Sequence, residues 1–442
     1  MHGFYTEIRA NNKHKTMFSK HCGTARHAYN WGLDLCIKKL SQKEKIPSAI
    51  DLHKLLVKEV KPQNMWYYES SKCSPQEALR NLEKAFKKFW KETHPMNLKK
   101  PFKEKYHKKF LKEKANGTLE NLSFMHEKGF PQFQKKNIRD SFYLEGDIKS
   151  EGNRIKVPKI GWIKTHEQLP ESTYKNCTIR RRADRWFISF KIEDAKNIEL
   201  SESRTAIGAD IGIKTLCTLS DGTTFDNPKA YSRYKKKLAT LQKKSSRQYE
   251  VAKDKKDKKG HIIYSNNHKK TKDKIAKLHL KVSNIRRDST HKLTTYLVKN
   301  HNEIVIEDLN VSGMLKNHKL AGAIADGGFY EFKRQLEYKS KWYGSKLIIA
   351  DRWFASSKTC SCCGHKKEKL SLKQRVFSCD SCGMVMDRDL NASINLKNYA
   401  VSYTVKACGD SKLHSEAVQK VGVIEAGIRQ QGIGVVQDCI SS

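Results

Sequence analysis

Apolar and polar positions alternate in some stretches of the chain and recur at helical spacing in others. Residues 3–9 alternate around Phe4, Tyr5 and Ile8, which predicts a short strand. From 13 to 39, Phe18, Cys22, Ala25, Tyr29, Leu33 and Ile37 return at three- to four-residue steps, the mark of one amphipathic helix or two. Residues 50–60 and 75–92 continue the helical texture, with Leu79, Leu82, Phe86 and Trp90 as one stripe. Lysine then dominates 97–137, broken by Pro101, Gly117, Gly129 and Pro131. Strand-like runs at 141–144, 154–157, 162–164, 177–182 and 186–192 predict a small antiparallel barrel.

The texture changes again near residue 203. An apolar strand at 206–212 carries Asp210 in its middle, and runs at 215–219 and 223–225 complete an antiparallel meander. Two basic helical stretches around Gly260 read as a hairpin over 228–300. An apolar strand at 303–309 then ends in Glu307. A Gly- and Ala-rich loop at 321–328, a helix bearing Phe329, Phe332, Leu336 and Tyr343, and a strand at 346–351 follow. An ionised carboxylate on an apolar strand costs free energy unless it is paired or binds a cation, so Asp210 and Glu307 call for partners. Residues 400–442 have few aromatic residues and scattered glycines, and a loosely ordered tail is expected there.

Composition narrows the partners. Lys and Arg number 87 against 47 Asp and Glu, a formal net charge of +40, which calls for a polyanion. The basic residues are spread along the chain and no long apolar run interrupts them, so nucleic acid is expected and a membrane is not. Scattered single cysteines and an amino end without the sequence of a signal peptide suit a reducing, cytoplasmic location.

Cys360 with Cys363 and Cys379 with Cys382 form two Cys-x-x-Cys pairs at the spacing that surrounds one structural Zn²⁺. Directly after them runs Asp387-Arg388-Asp389-Leu390-Asn391-Ala392. Three antiparallel strands followed by helix and strand units, with Asp210 on the first strand, Glu307 at a later strand end and Asp389 near the start of the last helix, is the plan of an RNase H-like fold. Such acids would hold two Mg²⁺ for in-line attack of water on a phosphodiester, because hard cations take oxygen ligands.

These motifs, with residues 24–31 and 284–288, resemble the TnpB family of transposon-encoded RNA-guided DNA endonucleases, relatives of the miniature type V CRISPR effectors. The resemblance implies an α+β, bilobed, multidomain protein. A wedge β-barrel would take 1–10 and 131–202, and a helical recognition domain 11–130. A RuvC-like nuclease domain would take 203–357 and 384–399, with a zinc-binding target nucleic-acid-binding hairpin inserted at 358–383. It also implies that Asp210, Glu307 and Asp389 are the catalytic acids, with Asp387 in a supporting place. Arg26, Tyr29, Asn30, Arg180, Arg181, Arg182, Arg286, Arg287 and Arg375 are the expected nucleic-acid contacts. The implied partners are one guide RNA per protein, which reads the target by base pairing, and double-stranded DNA bearing a short flanking motif. The rival readings are a non-cleaving guide-directed binder, a DNA-joining transposase using the same acids, and a CRISPR-borne effector.

Overall fold

The computed structural model describes residues 2–42, 44–93, 129–138, 140–171, 173–192, 204–255, 260, 262–371 and 374–407. Much of the lysine-rich stretch and residues 408–442 therefore lie outside the described residues, and with them most of the expected tail. The chain divides into two compact units, Met1–Lys196 and Asn197–Ser442.

In the first unit, β1 (His2–Arg9) joins β2 (Ser141–Glu151), β3 (Arg154–Val157), β4 (Gly161–Thr165), β5 (Thr173–Arg182) and β6 (Arg185–Ile192) in a closed barrel. The order is β1-β4-β3-β2-β5-β6, and β1 pairs with β6 from His2–Ile192 to Ile8–Trp186 to close it. Alternation turns Phe142, Leu144, Ile148, Ile155, Ile163, Ile179 and Ile188 inward. The single run from 13 to 39 is one helix, α1 (Asn12–Ser41), capped by the Asn11 side chain on the His14 N–H. With α2 (Ala49–Leu55) and α3 (Cys73–Thr93) it encloses a second core of Leu33, Leu52, Leu56, Tyr67, Leu79, Leu82 and Phe86.

The second unit is built on a five-stranded sheet. Strands β7 (Thr205–Asp210), β8 (Thr215–Leu219) and β9 (Thr224–Asp226) form the antiparallel meander, and β10 (His301–Glu307) and β11 (Lys346–Ala350) run parallel to β7 in the order β11-β10-β7-β8-β9. The basic hairpin consists of α4 (Ala230–Lys253) and α5 (Asn266–Asn300). A short helix, α6 (Val311–Met314), follows β10, and the Gly- and Ala-rich stretch differs from the expected loop: α7 (Ala321–Gly327) is helical and ends at Gly328 in the left-handed region at φ 66°. Helix α8 (Phe329–Tyr343) packs beneath the sheet through Phe332 and Leu336. The last helix, α9 (Arg388–Ala407), runs eight residues into what the sequence suggested was tail.

Helix α9 lies so close to β7 that Gly208 is the residue the packing demands. A Cβ there would stand 1.9 Å from the Ser393 carbonyl oxygen and 2.5 Å from the Lys397 nitrogen. Gly208→Ala is therefore expected to cost about 3 kcal/mol through overpacking against rigid backbone. Urea unfolding of the variant measures it, and a midpoint equal to that of the parent protein would refute the close approach.

Among the described residues, no helix is long and apolar enough to cross a membrane.

Candidate functional site

The register of the parallel strands sets Ile306 beside Ala209, so Glu307 at the end of β10 and Asp210 at the end of β7 leave the same edge of the sheet. Asp389 joins them from the first turn of α9. Asp210 is half-buried, and burial first, then the negative charges of Glu307 and Asp389, push its carboxyl up to about 8, while Arg388 pulls the other way. Glu307 and Asp389 are thus near enough for their charges to act on Asp210, although the ligand atoms of the three acids do not all lie within 4.8 Å of one another.

Glu307 and the acids next to the set have partners of their own. Ser356, almost fully buried, donates its hydroxyl to Glu307 Oε1. Asp308, next in sequence, turns to the Lys333 ammonium at 3.0 Å and to the Arg352 guanidinium, and those hydrogen bonds hold its carboxyl below the usual range. Asp387 is exposed and caps α9: its Oδ1 accepts from the backbone N–H groups of Asp389 at 2.8 Å and Leu390 at 3.1 Å. That placement gives Asp387 a helix terminus to hold.

Among the described residues, the group of His, Cys, Asp and Glu side chains whose ligand atoms all lie within 4.8 Å of one another is Cys360, Cys363, Cys379 and Cys382. Sγ of Cys360 is 3.6 Å from that of Cys382, and Cys363 is 3.6 Å from Cys379. Both pairs use the same turn. Gly364 follows Cys363 at φ 76° and donates to the Cys360 carbonyl, and Gly383 follows Cys382 at φ 72° and donates to the Cys379 carbonyl. A short hairpin, β12 (Val376–Ser378) and β13 (Val385–Asp387), supports the second pair and leads directly into α9. The backbone N–H of Cys382, and then that of Ser381, hold the Cys379 thiol down at about 6.

Asn391 and Asn395, one turn apart on α9, fasten this hairpin to the acids. Asn391 accepts from the Ser361 N–H at 2.9 Å and donates to the Thr359 carbonyl at 2.7 Å; Asn395 donates to the carbonyls of Ser356 and Thr359 at 2.8 and 2.6 Å. Sequence reasoning saw Asn391 only as part of a motif and missed Asn395 and Ser356. Two buried asparagines at i and i+4 beside an acid were the available signal.

The residues expected to contact nucleic acid have the following surroundings within the fold. Arg26 faces Asp140 at 3.5 Å, Tyr29 is buried in the helical core, and Asn30 exchanges hydrogen bonds with the Gln134 backbone. Arg181 donates to the Ala183 carbonyl at 2.9 Å and to Asn137 at 3.1 Å, Arg180 is exposed, and Arg182 is half-buried. Arg286 is paired at 2.8 Å with the buried Asp326, which also accepts from the N–H groups of Tyr231 and Ser232 and so caps α4. Arg287 is half-buried, and Arg375 is exposed with its carbonyl accepting the Arg388 N–H. Arg26, Asn30, Arg181 and Arg286 are thus committed within the fold.

Three families match by sequence: "Helix-turn-helix domain" over residues 1–45, "Probable transposase" over 188–318, and "Cas12f1-like, TNB domain" over 329–396. A protein named "Putative RNA-guided DNA endonuclease InsQ" from Escherichia coli (strain K12) is 31% identical over 366 residues, covering 79% of this chain and 79% of its own. A "Putative RNA-guided DNA endonuclease" of Streptomyces pristinaespiralis is 32% identical over 89% of this chain and 87% of its own. The TnpB-like protein L770 of Acanthamoeba polyphaga mimivirus is 27% identical over 58% of this chain and 53% of its own.

The chain belongs to the TnpB family.

A solved structure described as "Structure of the mini-RNA-guided endonuclease CRISPR-Cas_phi3" aligns with this TnpB chain over 90% of its length and 92% of that chain. The TM-score is 0.47 at 10% identity, too loose a likeness to carry a fold assignment.

Proposed function

We propose that the protein is an RNA-guided DNA endonuclease of a transposon, and that its acid cluster hydrolyses phosphodiesters with two Mg²⁺. The observation that supports this reading is that Asp210 and Glu307 end neighbouring parallel strands and that the charges of Glu307 and Asp389 act on the Asp210 carboxyl. Burial first, and then the charges of Glu307 and Asp389, raise the Asp210 carboxyl, and a hard divalent cation taking oxygen ligands would offset both costs. When bound, the two ions would activate a water and stabilise the leaving oxygen. The chain's own part is to supply oxygen ligands from Asp210, Glu307 and Asp389, to aim Glu307 through Ser356, and to hold Asp389 in the capped first turn of α9. The strand order β9-β8-β7-β10-β11 supports an RNase H-like, RuvC-like assignment of the second unit.

The cysteine group fits zinc. Four sulfurs around a tetrahedral Zn²⁺ stand about 3.8 Å apart, close to the 3.6 Å seen here. On this reading the hairpin at 358–383 binds target nucleic acid and the barrel of the first unit is the wedge domain. A guide RNA and double-stranded DNA account for the +40 charge.

Sequencing the RNA that copurifies with the protein and then reprogramming its guide segment tests the reading. A matching plasmid should be cut with Mg²⁺ and spared with EDTA. An intact plasmid in the presence of a copurified guide and Mg²⁺ would favour a non-cleaving binder.

A further inference from the structure

The Asp389 carboxylate already has a cation. Nε and Nη2 of Arg388 both donate to Asp389 Oδ1, at 3.2 and 3.0 Å, while Nη1 donates to the Gln374 carbonyl at 3.0 Å. The Arg388 backbone N–H donates to the Arg375 carbonyl at 2.8 Å. Only 15% of the Arg388 side chain is exposed, so the pair sits largely out of water where an unpaired charge is costly. The same guanidinium also favours ionisation of Asp210. One side chain therefore offsets the repulsion within the acid cluster and ties that cluster to the strand leading into the second cysteine pair.

We propose that Arg388 is a built-in placeholder: its guanidinium pairs with Asp389 Oδ1 and competes with a divalent cation for that carboxylate. The proposal rests on the reading of the cluster as a metal site. Guanidinium and cation compete for one carboxylate oxygen, so metal affinity is set below what the acids alone would give. Because Nη1 of the same guanidinium holds the Gln374 carbonyl, parting from Asp389 breaks one link between the strand before the second cysteine pair and the acids. Metal loading and hairpin position are coupled through this residue, which acts as a positioning residue rather than a catalytic one.

The test is Mn²⁺ titration of the full-length protein, followed by electron paramagnetic resonance of the free ion, with Arg388→Gln and Arg388→Lys beside the parent protein. Arg388→Gln should bind Mn²⁺ about tenfold more tightly, since a charged hydrogen-bonded competitor is gone. It should also melt at a lower temperature without metal and recover more on adding Mn²⁺. Arg388→Lys, which keeps the charge but not the planar fork, should fall between. A merely structural residue would weaken metal binding when removed, so equal or weaker affinity in Arg388→Gln overturns the placeholder. Mn²⁺ binding that persists in Asp210→Asn/Glu307→Gln would instead sink the metal-site reading itself.

Discussion

Asp210→Asn is expected to lower guided DNA cleavage by about 10³-fold or more, because metal-assisted charge stabilisation worth several kcal/mol is lost. Guide RNA and target binding should persist. The same substitution should stabilise the metal-free protein at alkaline pH. The Asp210 carboxyl lies at about 8 in the fold against an ordinary value of 3.8. A group raised in this way favours the fold while protonated, so its contribution is complete below about pH 4 and is lost as pH rises through 8. Asparagine stays neutral throughout. Without added Mg²⁺ at pH 8.5 the variant should therefore melt above the parent protein, each kcal/mol of relief giving about 2–4 °C. At pH 4 the difference should vanish, and saturating Mg²⁺ at pH 8.5 should stabilise only the parent. Undiminished cleavage, or melting curves that stay parallel from pH 4 to 8.5, would remove Asp210 from the site.

What could be read from the sequence was what is local. The barrel strands and the two acid-bearing strands showed because side-chain alternation and apolar runs are properties of neighbouring residues. The cysteine pairs showed because ligand spacing is set within one turn. What was not legible depended on partners far along the chain. Arg26 and Asp140 are separated by 114 residues and Arg286 and Asp326 by 40, so nothing local distinguishes these arginines from solvated ones. The helix at Ala321–Gly327 was hidden for a related reason: alanine and glycine give no apolar period, and the stretch is held by the buried Asp326 reaching the start of α4. Strand β2 was read short because its pairing with β5 shifts between Glu145 and Ile148, where Gly146 takes φ 130° and interrupts the alternation. The acid cluster itself lay between these cases. Its members stood out one by one, but their convergence needed the parallel pairing of β10 with β7.

Removing the metal from the four cysteines should unfold the hairpin and abolish target cleavage while leaving the barrel intact. Among the described residues, the buried core of this segment is Cys360, Phe377 and Cys379, with Met384 against it, and its two strands have three residues each. A two-stranded hairpin with so little to bury is marginal in water. Metal binding supplies about 10–16 kcal/mol in zinc-finger peptides, far more than that core can. Chelation also requires protons to return. Burial pushes the Cys360 thiol up to about 12 without metal, so affinity should fall as the medium is acidified. The damage should reach the acids, because the loop that Asn391 and Asn395 fasten also carries Ser356, the hydrogen-bond donor to Glu307. Cys379→Ser should therefore lose cleavage as completely as an acid variant does. Elemental analysis of the purified parent protein should find about one zinc per chain, in line with one closed four-thiolate site. A strong zinc chelator should then release that ion and make the four thiols reactive together. Full cleavage by protein that contains no zinc would show that the hairpin holds itself together without it.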